Sequence, residues 1–420
     1  MNKTSQENNS PARALDWAIY FCVGILFLCS LHVFFSAATS WLWIVAILIT
    51  EWGHYFGIAA LFLALIAWRR GRTGRPVAAL AIVTAALCFS PAIRAAGLNH
   101  SLPRRITAAL GSLEAVDGRP KPLSWLDLFR GVNTSGVSVT EHVYAPGEGR
   151  KLDLYRANDQ GGPEPIVLMI HGGSWNGGNK AQLPALNRYL ARQHYAVASI
   201  DYRLAPAARF PAPVEDVFEA INFLKTNAAT LRLDPTRIVL IGRSAGGQIA
   251  LSAAYAEKEP AIRGVVAFYA PADLVRGYER PSRRFVLDSK KVLENYLGGT
   301  PAQEPATYAA ASPINFVNAN TPATLLIHGL LDPIVWPEQS ERLAARLQEN
   351  SRHFFHLYIP WGTHGCDANL NGPSGQLSLY AIDRFLAAVF HSQTVPPPAD
   401  IALAASAPGW HLPGPVTAPK

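Results

Sequence analysis

One serine stands in a sequence context that suits nucleophilic catalysis. Ser244 lies between Gly242 and Gly246, after four apolar residues typical of a buried strand and before small residues typical of a closely packed helix. Glycines two places on either side of the serine permit a sharp strand-to-helix turn that lifts its hydroxyl out of the sheet. The segment therefore predicts a nucleophile, with an ordinary turn as the alternative.

A serine hydroxyl is a poor nucleophile until a base removes its proton, and the base needs a carboxylate to orient it. Asp332 follows the apolar segment 324–327, and His364 follows the apolar segment 354–359. We expect Ser244, Asp332 and His364 to act as nucleophile, acid and base. Other candidates in predicted loops and polar segments are Asp273, Asp288 and Asp367 for the acid, and His142, His194, His353, His356 and His391 for the base.

A glycine-containing loop follows the apolar segment 166–170, in the order His171-Gly172-Gly173-Ser174-Trp175. Adjacent glycines leave backbone amides unobstructed, which suits the binding of a developing negative charge. We expect the amides of Gly172, Gly173 and Ala245 to form an oxyanion hole. A plain glycine turn is the alternative.

The four cysteines do not form a disulfide framework, because Cys22, Cys29 and Cys88 lie in apolar segments. Cys366 stands close to His364, and a cysteine nucleophile is an alternative to Ser244. It is disfavoured because no oxyanion loop accompanies it. The predicted chemistry needs no cofactor and no metal ion, and we expect none.

The segment 134–392 alternates short apolar runs with helical stretches, which predicts a mostly parallel sheet covered on both faces. Functional groups in such sheets collect in loops beyond the carboxyl ends of the strands. The strand candidates are 137–144, 151–155, 166–170, 196–200, 238–241, 265–268, 324–327 and 354–359, with helices such as 214–226 and 338–349 between them. The basic segment 273–313 is longer than a crossover helix needs and predicts a cap over the site.

These motifs together resemble the α/β-hydrolase superfamily. The set comprises His171 to Trp175, Asp201-Tyr202-Arg203-Leu204-Ala205-Pro206, Gly242 to Gly247, His328-Gly329 with Asp332, and His364. Within the superfamily they resemble the esterase branch that includes hormone-sensitive-lipase-like carboxylesterases and bacterial feruloyl or acetyl esterases. The resemblance covers 134–392 and implies the α/β-hydrolase fold, a serine esterase activity and the site residues assigned above. It also implies that Asp201 and Arg203 organise their loop by ion pairing and hydrogen bonds.

Two further residues of these motifs are candidate substrate contacts, Trp175 and Arg243. Relatives more often carry His, Asp or Glu at the position of Arg243. The arginine could pair with a nearby carboxylate or could help to orient an acidic substrate, and specificity should therefore not be copied from relatives.

The first 97 residues predict about three transmembrane helices. No Asp, Glu, Lys or Arg occurs from 17 to 50, and further apolar segments span 41–68 and 76–93. Glu51 and His54 lie either inside a second helix or at an interface between shorter spans. A cleavable signal peptide over 16–38 is the alternative for the first helix.

Arg69, Arg70, Arg72 and Arg75 form a short basic loop that marks the cytoplasmic side of a membrane. Three spans then place the N-terminus inside and the catalytic domain on the outer face, which suggests a bacterial inner membrane protein. An even number of spans would reverse this placement.

The remaining segments connect or extend these parts. Residues 98–133 form an amphipathic interfacial linker that lies along the headgroups or docks on the soluble domain. Residues 393–420 form a disordered tail rich in Pro and Ala. The net charge of +7 and pI near 9.2 do not indicate nucleic acid, because no basic run interleaved with aromatics occurs. Membrane-surface electrostatics explains the charge more simply, and the oligomeric state is left open.

The combined expectation is a membrane-anchored serine carboxylester hydrolase that acts through an acyl-enzyme on a small or medium acyl ester. The substrate would be a small molecule, or a glycan or lipid ester. Alternatives are an amidase or peptidase of the same fold, an envelope acyltransferase in which an alcohol replaces water, and a non-catalytic binding module tethered to a membrane. The complete triad disfavours the last of these.

Overall fold

The computed structural model describes residues 11–111, 116, 118–147, 150–158, 161–256, 258–350 and 352–391, so the predicted tail 393–420 lies outside the described residues. An eight-stranded sheet of order β1-β2-β4-β3-β5-β6-β7-β8 organises the chain from Val137 onward. The strands are β1 (Val137–Val143), β2 (Lys151–Ala157), β3 (Glu164–Ile170), β4 (Ala196–Ile200), β5 (Leu233–Arg243), β6 (Ile262–Phe268), β7 (Ala323–Gly329) and β8 (Phe354–Ile359).

The sheet begins with two antiparallel pairings, β1 with β2 and β2 with β4, and all later pairings are parallel. Its register aligns the carboxyl ends of the strands, with Ile170 beside Gly242 and Gly329 beside Ile359. The loops after β3, β5, β7 and β8 therefore meet at one edge. The predicted α/β-hydrolase fold is confirmed.

Helices cover both faces because successive residues of the buried parallel strands face opposite layers. Ile166, Leu168 and Ile170 of β3 join one hydrophobic cluster, and Val167 and Met169 join the other. The first cluster lies under α8 (Ala212–Thr226), α10 (Ala245–Tyr255) and α14 (Glu338–Glu349); the second lies under α5 (Ser101–Leu110), α7 (Pro184–Ala191) and α15 (Pro373–His391). Short helices α6 (Asp127–Arg130) and α9 (Ala228–Leu231) lie in connections.

Three short helices lie between β6 and β7, within the segment predicted to cap the site. They are α11 (Leu274–Glu279), α12 (Ser289–Leu297) and α13 (Pro305–Ala311). The side chains of Asp273 and Asp288 accept hydrogen bonds from the amides of Arg276 and Lys291, and so begin α11 and α12. These two aspartates are thus helix caps.

The N-terminal part folds as α1 (Pro11–Ser30), α2 (Ser40–Glu51), α3 (Gly53–Trp68) and α4 (Arg75–Gly97). The helical segment Leu15–Val33 and α4 are long and apolar enough to cross a membrane, and α2 with α3 adds a third crossing if the bent pair counts as one. In place of one continuous helix over 41–68, the chain turns by 83° at Trp52. A Cβ on Gly53 would lie 2.4 Å from the carbonyl oxygen of Cys88, so the glycine permits the close approach of α3 to α4 at this bend.

One end of this helical bundle carries the basic loop. Arg70 forms an ion pair of 3.2 Å with Asp16 of α1, and the Tyr20 hydroxyl donates to the carbonyl oxygen of Thr73. At the other end α2 packs against α15, and the last turns of α4 contribute Ala92 and Ala95 to a core cluster shared with the sheet. The hydrolase domain therefore lies at the end of the bundle opposite the arginines.

Helix α5, Leu123 and Leu128, all within the predicted linker 98–133, pack on the hydrolase domain. Leu102, Ile106 and Leu110 of α5 are buried in the same cluster as the strands, so this apolar face is not available to headgroups. Only three residues connect α4 to α5, and among them Asn99 donates to the carbonyl oxygen of Leu123 and accepts from its amide. Of the two placements left open by the sequence, the structure has α5 docked on the domain.

Candidate active site

Ser244 occupies the turn between β5 and α10 in a strained backbone conformation, with φ +51° and ψ −119°. A Cβ at Gly242 would lie 2.1 Å from the carbonyl oxygen of Gly246, and one at Gly246 would lie 2.3 Å from the carbonyl oxygens of Ile170 and His171. Gly242 is therefore required for the tightness of the turn itself, and Gly246 for the close approach of the turn to β3. This geometry exposes the hydroxyl at the edge of the sheet.

The three predicted triad residues come together. His364 Nε2 lies 2.9 Å from Ser244 Oγ, and His364 Nδ1 lies 2.7 Å from Asp332 Oδ2. The other carboxylate oxygen of Asp332 accepts the amides of Ile334 and Val335 at 2.8 and 2.9 Å. An ionised carboxylate at Nδ1 fixes the tautomer in which Nε2 can take the serine proton.

The environment of Asp332 keeps it ionised. Burial by itself would raise the pKa of this carboxyl, but the charge of His364 and hydrogen bonds from His328 and His364 lower the pKa to about 2. His328 Nε2 lies 3.3 Å from Asp332 Oδ2, and His328 Nδ1 meets Ser340 Oγ at 2.6 Å. His328, present in the sequence as part of a motif, thus helps to keep the Asp332 carboxylate ionised.

The predicted oxyanion donors need one correction. The amide of Gly172 donates to Gln182 Oε1 at 2.7 Å and is not available to substrate. Within the described part of the chain, no acceptor occurs for the amides of Gly173, Ser174 and Ala245. Ser174 and Ala245 line the pocket above Ser244. Gly173 and Ser174, which follow Gly172, adopt positive φ values of +131° and +55°.

The two predicted substrate contacts differ in their outcome. Arg243 is buried, forms an ion pair with Asp367 and lies over the ring of Phe268, outside the pocket lining. Its assignment as a substrate contact is wrong, because the buried carboxylate engages it behind the serine. Trp175 lies in the pocket wall, where its indole N–H donates to Gln248 Oε1 at 2.8 Å and its ring stacks on Tyr296.

A second buried carboxylate lies behind the base. Asp367 accepts the Tyr269 hydroxyl at 2.5 Å as well as the Arg243 guanidinium, and the ring of Tyr269 lies 4.4 Å from the ring of His364. Burial and the nearby Asp367 raise the pKa of the Cys366 thiol well above its ordinary value. Cys366 is therefore a protonated core residue, and the arrangement favours Ser244 as the nucleophile.

The loop that follows β4 is organised as the resemblance implied. Arg203 Nε pairs with Asp216 at 2.8 Å, and Asp201 accepts the amide of Lys180 at 2.7 Å. Neither residue lines the pocket. Both act on the conformation of the loop.

The pocket above Ser244 is predominantly apolar. The cap and the loop after β7 supply most of its wall, and the residues involved include Leu274, Leu287, Val292, Leu293, Ile334 and Trp336. Arg280 stands at this wall with its guanidinium over the Trp336 ring, 4.9 Å from the centroid, and is ion-paired with Glu338. Such a lining suits a short or medium apolar group beside a carbonyl.

Helix α2 reaches the site from outside the region of resemblance. Trp43 Nε1 donates to the main-chain oxygen of His364 at 2.8 Å, and Ser374 Oγ donates to Glu51 Oε1 at 2.6 Å. Glu51 thus faces the hydrolase domain. The sequence carries no signal for the role of Trp43, because the contact joins residues 321 positions apart.

Comparison with known families and proteins places this arrangement in context. The BD-FAE family model matches residues 152–347. The chain is 25% identical over 393 residues to the probable carboxylic ester hydrolase LipM of Mycobacterium tuberculosis, which covers 85% of this chain and 88% of LipM. It is 30% identical over 266 residues to esterase LipC of the same organism, across 60% of this chain and 65% of LipC.

A plant relative and two solved structures extend the comparison. The probable isoprenylcysteine alpha-carbonyl methylesterase ICMEL1 of Oryza sativa subsp. japonica is 31% identical over 229 residues, across 50% of this chain and 52% of the relative. A bacterial heroin esterase superposes with a TM-score of 0.55 at 24% identity, across 62% of this chain and 87% of that chain. A truncated carbohydrate esterase from gut microbiota gives 0.53 at 23% identity, across 61% and 99%.

Proposed function

We propose, from the premise that this chain is an α/β-hydrolase of the esterase branch, that it cleaves carboxylic esters through an acyl-enzyme on Ser244. The observation that carries the proposal is the unbroken chain of short contacts from Ser244 Oγ through His364 to Asp332. It supplies nucleophile, base and orienting carboxylate within reach of one another. The apolar pocket beside it supports a small or medium acyl group.

The first half of the reaction forms the acyl-enzyme. Ser244 Oγ attacks the ester carbonyl carbon while its proton passes to His364 Nε2. The oxygen of the carbonyl becomes an oxyanion, and the amides of Gly173, Ser174 and Ala245 hydrogen-bond it. When the carbon–oxygen bond to the alcohol breaks, His364 returns its proton to the leaving alcohol.

The second half regenerates the enzyme. A water molecule gives a proton to His364 Nε2 and attacks the acyl carbon, and the second tetrahedral intermediate is held by the same three amides. Its collapse releases the carboxylic acid and returns the proton to Ser244 Oγ. Asp332 remains ionised throughout and stabilises the imidazolium.

The test is Ser244→Ala in the full chain, with p-nitrophenyl acetate as substrate. We expect turnover to fall to background while thermal unfolding is unchanged, because Ser244 lies on a turn and its hydroxyl contacts only His364 within the described residues. Ser138→Ala on β1 is the matched control and should retain activity. Undiminished hydrolysis by Ser244→Ala would refute the mechanism.

We further propose that α1, the bent pair α2–α3, and α4 anchor the chain in a membrane with the hydrolase domain on the outer face. The Asp16–Arg70 pair and the basic loop lie at one end of the bundle, and the hydrolase domain lies at the other. Basic loops remain in the cytoplasm. Alkaline phosphatase fused to the C-terminus should be active and green fluorescent protein should be dark; the reverse pattern would contradict the placement.

A further inference from the structure

Helix α2 exposes an apolar face that lies beside the one in contact with the hydrolase domain. Trp41, Ile44 and Leu48 recur at helical spacing and are 78%, 46% and 40% exposed. Phe34 and Phe35, just before the helix, are 52% and 62% exposed. Exposed apolar side chains grouped on one helix face indicate an interaction site.

The adjacent side of α2 is fixed to the hydrolase domain along its length. The amide of Ser40 donates to the carbonyl oxygen of Phe285 at 3.0 Å, Trp43 binds the oxygen of His364, and Asn369 Nδ2 donates to the carbonyl oxygen of Glu51 at 3.0 Å. The exposed face therefore has a defined orientation relative to Ser244.

The 83° bend at Trp52 sets the orientation of α2 relative to the proposed spans. Because α3 packs against α4 as part of the bundle, a bundle that crosses the bilayer places α2 nearly parallel to the membrane plane. An apolar helix face in that plane inserts into the boundary between headgroups and acyl chains.

The cap contributes the adjoining part of the same surface. Arg280, Ser282, Leu287 and Ser289 line the pocket, while Phe285 in the middle of this loop is 77% exposed. Ser282 Oγ donates to the carbonyl oxygen of Ile334, which ties the loop to the segment after Asp332. The loop is thus one wall of the pocket and, through Phe285, a neighbour of α2.

Two exposed arginines precede this phenylalanine, Arg283 and Arg284. A protruding aromatic side chain beside two guanidinium groups matches a leaflet that carries anionic headgroups over acyl chains. The charge of the two arginines and the apolar face of α2 therefore favour the same partner, an anionic lipid leaflet.

We propose that the α2 face and the cap loop 283–285 dock on the outer leaflet of an anionic bilayer, and that the pocket takes its ester from this leaflet. This inference rests on the proposed function of the same site. The substrate class is an amphiphilic ester whose apolar part resides among the acyl chains and whose carbonyl lies near the headgroups. It reaches Ser244 past the loop that carries Phe285.

The experiment uses the full chain reconstituted in vesicles of phosphatidylcholine and phosphatidylglycerol, with Phe285→Ser combined with Trp41→Ser. Hydrolysis of p-nitrophenyl palmitate carried in the bilayer should fall at least tenfold. Hydrolysis of water-soluble p-nitrophenyl acetate should stay within twofold, because neither residue lines the pocket, and this retained activity also shows that the variant is folded. Phe316→Ser is the matched control, since Phe316 is exposed next to α10 and α14 and should leave both rates unchanged.

A second variant tests the charge. Arg283→Gln with Arg284→Gln should slow the palmitate reaction on phosphatidylglycerol vesicles severalfold and have little effect on pure phosphatidylcholine vesicles. Two results would overturn the docking proposal and leave the esterase mechanism intact. One is an unchanged rate of palmitate hydrolysis in the Phe285/Trp41 variant, and the other is a wild-type protein that cleaves only the acetate. Acetate hydrolysis by Ser244→Ala would instead overturn the mechanism.

Discussion

The indole N–H of Trp43 donates a hydrogen bond of 2.8 Å to the main-chain oxygen of His364, and the centroids of the two rings lie 6.2 Å apart. Ile47 lies one turn later in α2. Its Cδ1 would be 3.5 Å from a Cβ placed on Gly365. A helix of the N-terminal bundle therefore supports the loop that carries the base. Trp43, which holds the main-chain oxygen of His364, lies outside the segment 134–392 that resembles α/β-hydrolases.

Replacing Trp43 with phenylalanine should slow the reaction without preventing it. The aromatic ring is retained, but the carbonyl of His364 loses its donor and the loop gains freedom. We expect kcat to fall about tenfold, equivalent to about 1.4 kcal/mol, with KM nearly unchanged. Steady-state hydrolysis of p-nitrophenyl acetate by the full chain measures both constants.

Trp68→Phe is the control for this substitution, because Trp68 is an exposed tryptophan at the end of α3 near the basic loop. Its kinetic constants should equal those of the unmodified protein. If Trp43→Phe matched Trp68→Phe, the hydrogen bond to His364 would have no part in positioning the base.

Asp332→Asn should leave the fold intact and remove most of the activity. An asparagine side chain no longer holds His364 in the tautomer that accepts the serine proton, and comparable changes in serine proteases lower kcat by about 10⁴. The rate of labelling by a fluorophosphonate should fall in parallel. Asp288→Asn, at the start of α12, should keep its capping function and near-normal rates; an equal loss in both variants would contradict the assignment of Asp332.

Arg243→Met should destabilise the protein because it leaves Asp367 buried without its guanidinium partner. Loss of one member of a buried pair typically costs about 3–5 kcal/mol. Urea unfolding of the full chain in detergent measures the change in free energy. The relative rates on neutral and acidic esters should not change, since Arg243 does not line the pocket.

The matched variant for this prediction combines Arg243→Met with Asp367→Asn. The amide is neutral and can still accept the Tyr269 hydroxyl, so most of the lost stability should return. A double variant less stable than Arg243→Met alone would show that the pair is not the source of the destabilisation.

Asp383 should make stability depend on pH. Burial raises the pKa of this carboxyl from 3.8 to about 6, even though the Arg119 amide and the Tyr189 hydroxyl donate to it. Between these values the folded state binds more protons than the unfolded state, so this group's contribution to the free energy of unfolding decreases as pH rises from about 4 to 7, by about 3 kcal/mol. Thermal unfolding of Asp383→Asn across this range should lack that decrease; an unchanged slope would refute it.

The sequence predicted those features that local patterns control. Alternating residues located β1 and β2, and apolar runs located the six later strands. The aligned carboxyl ends brought Ser244, Asp332 and His364 to one edge. The sequence could not show that the amide of Gly172 is already engaged, because its acceptor, Gln182, lies outside the motif. Partners such as Asp367 for Arg243 are set by tertiary packing, which spacing along the chain does not encode.

The sequence left open whether Glu51 and His54 lie inside one helix or at an interface between shorter spans, because tertiary contacts set the break at Trp52. Apolar composition continues on both sides of it. The close approach of Gly53 to Cys88 and the hydrogen bond from Ser374 to Glu51 are tertiary contacts that composition does not encode. Composition alone therefore predicted which residues form apolar helices, but not the direction of each helix axis. The same limit applied to α5, whose apolar face suited either headgroups or the domain.

The connection from α4 to α5 has a kinetic consequence. Three residues join the last span to the hydrolase domain, and one of them, Asn99, is hydrogen-bonded to Leu123. This short connection keeps the domain close to the end of the span. On the proposed anchor the enzyme meets its ester by lateral diffusion in two dimensions. Its velocity will follow the number of ester molecules per unit area of bilayer, so diluting a fixed amount of ester with inert lipid will slow the reaction at constant bulk concentration.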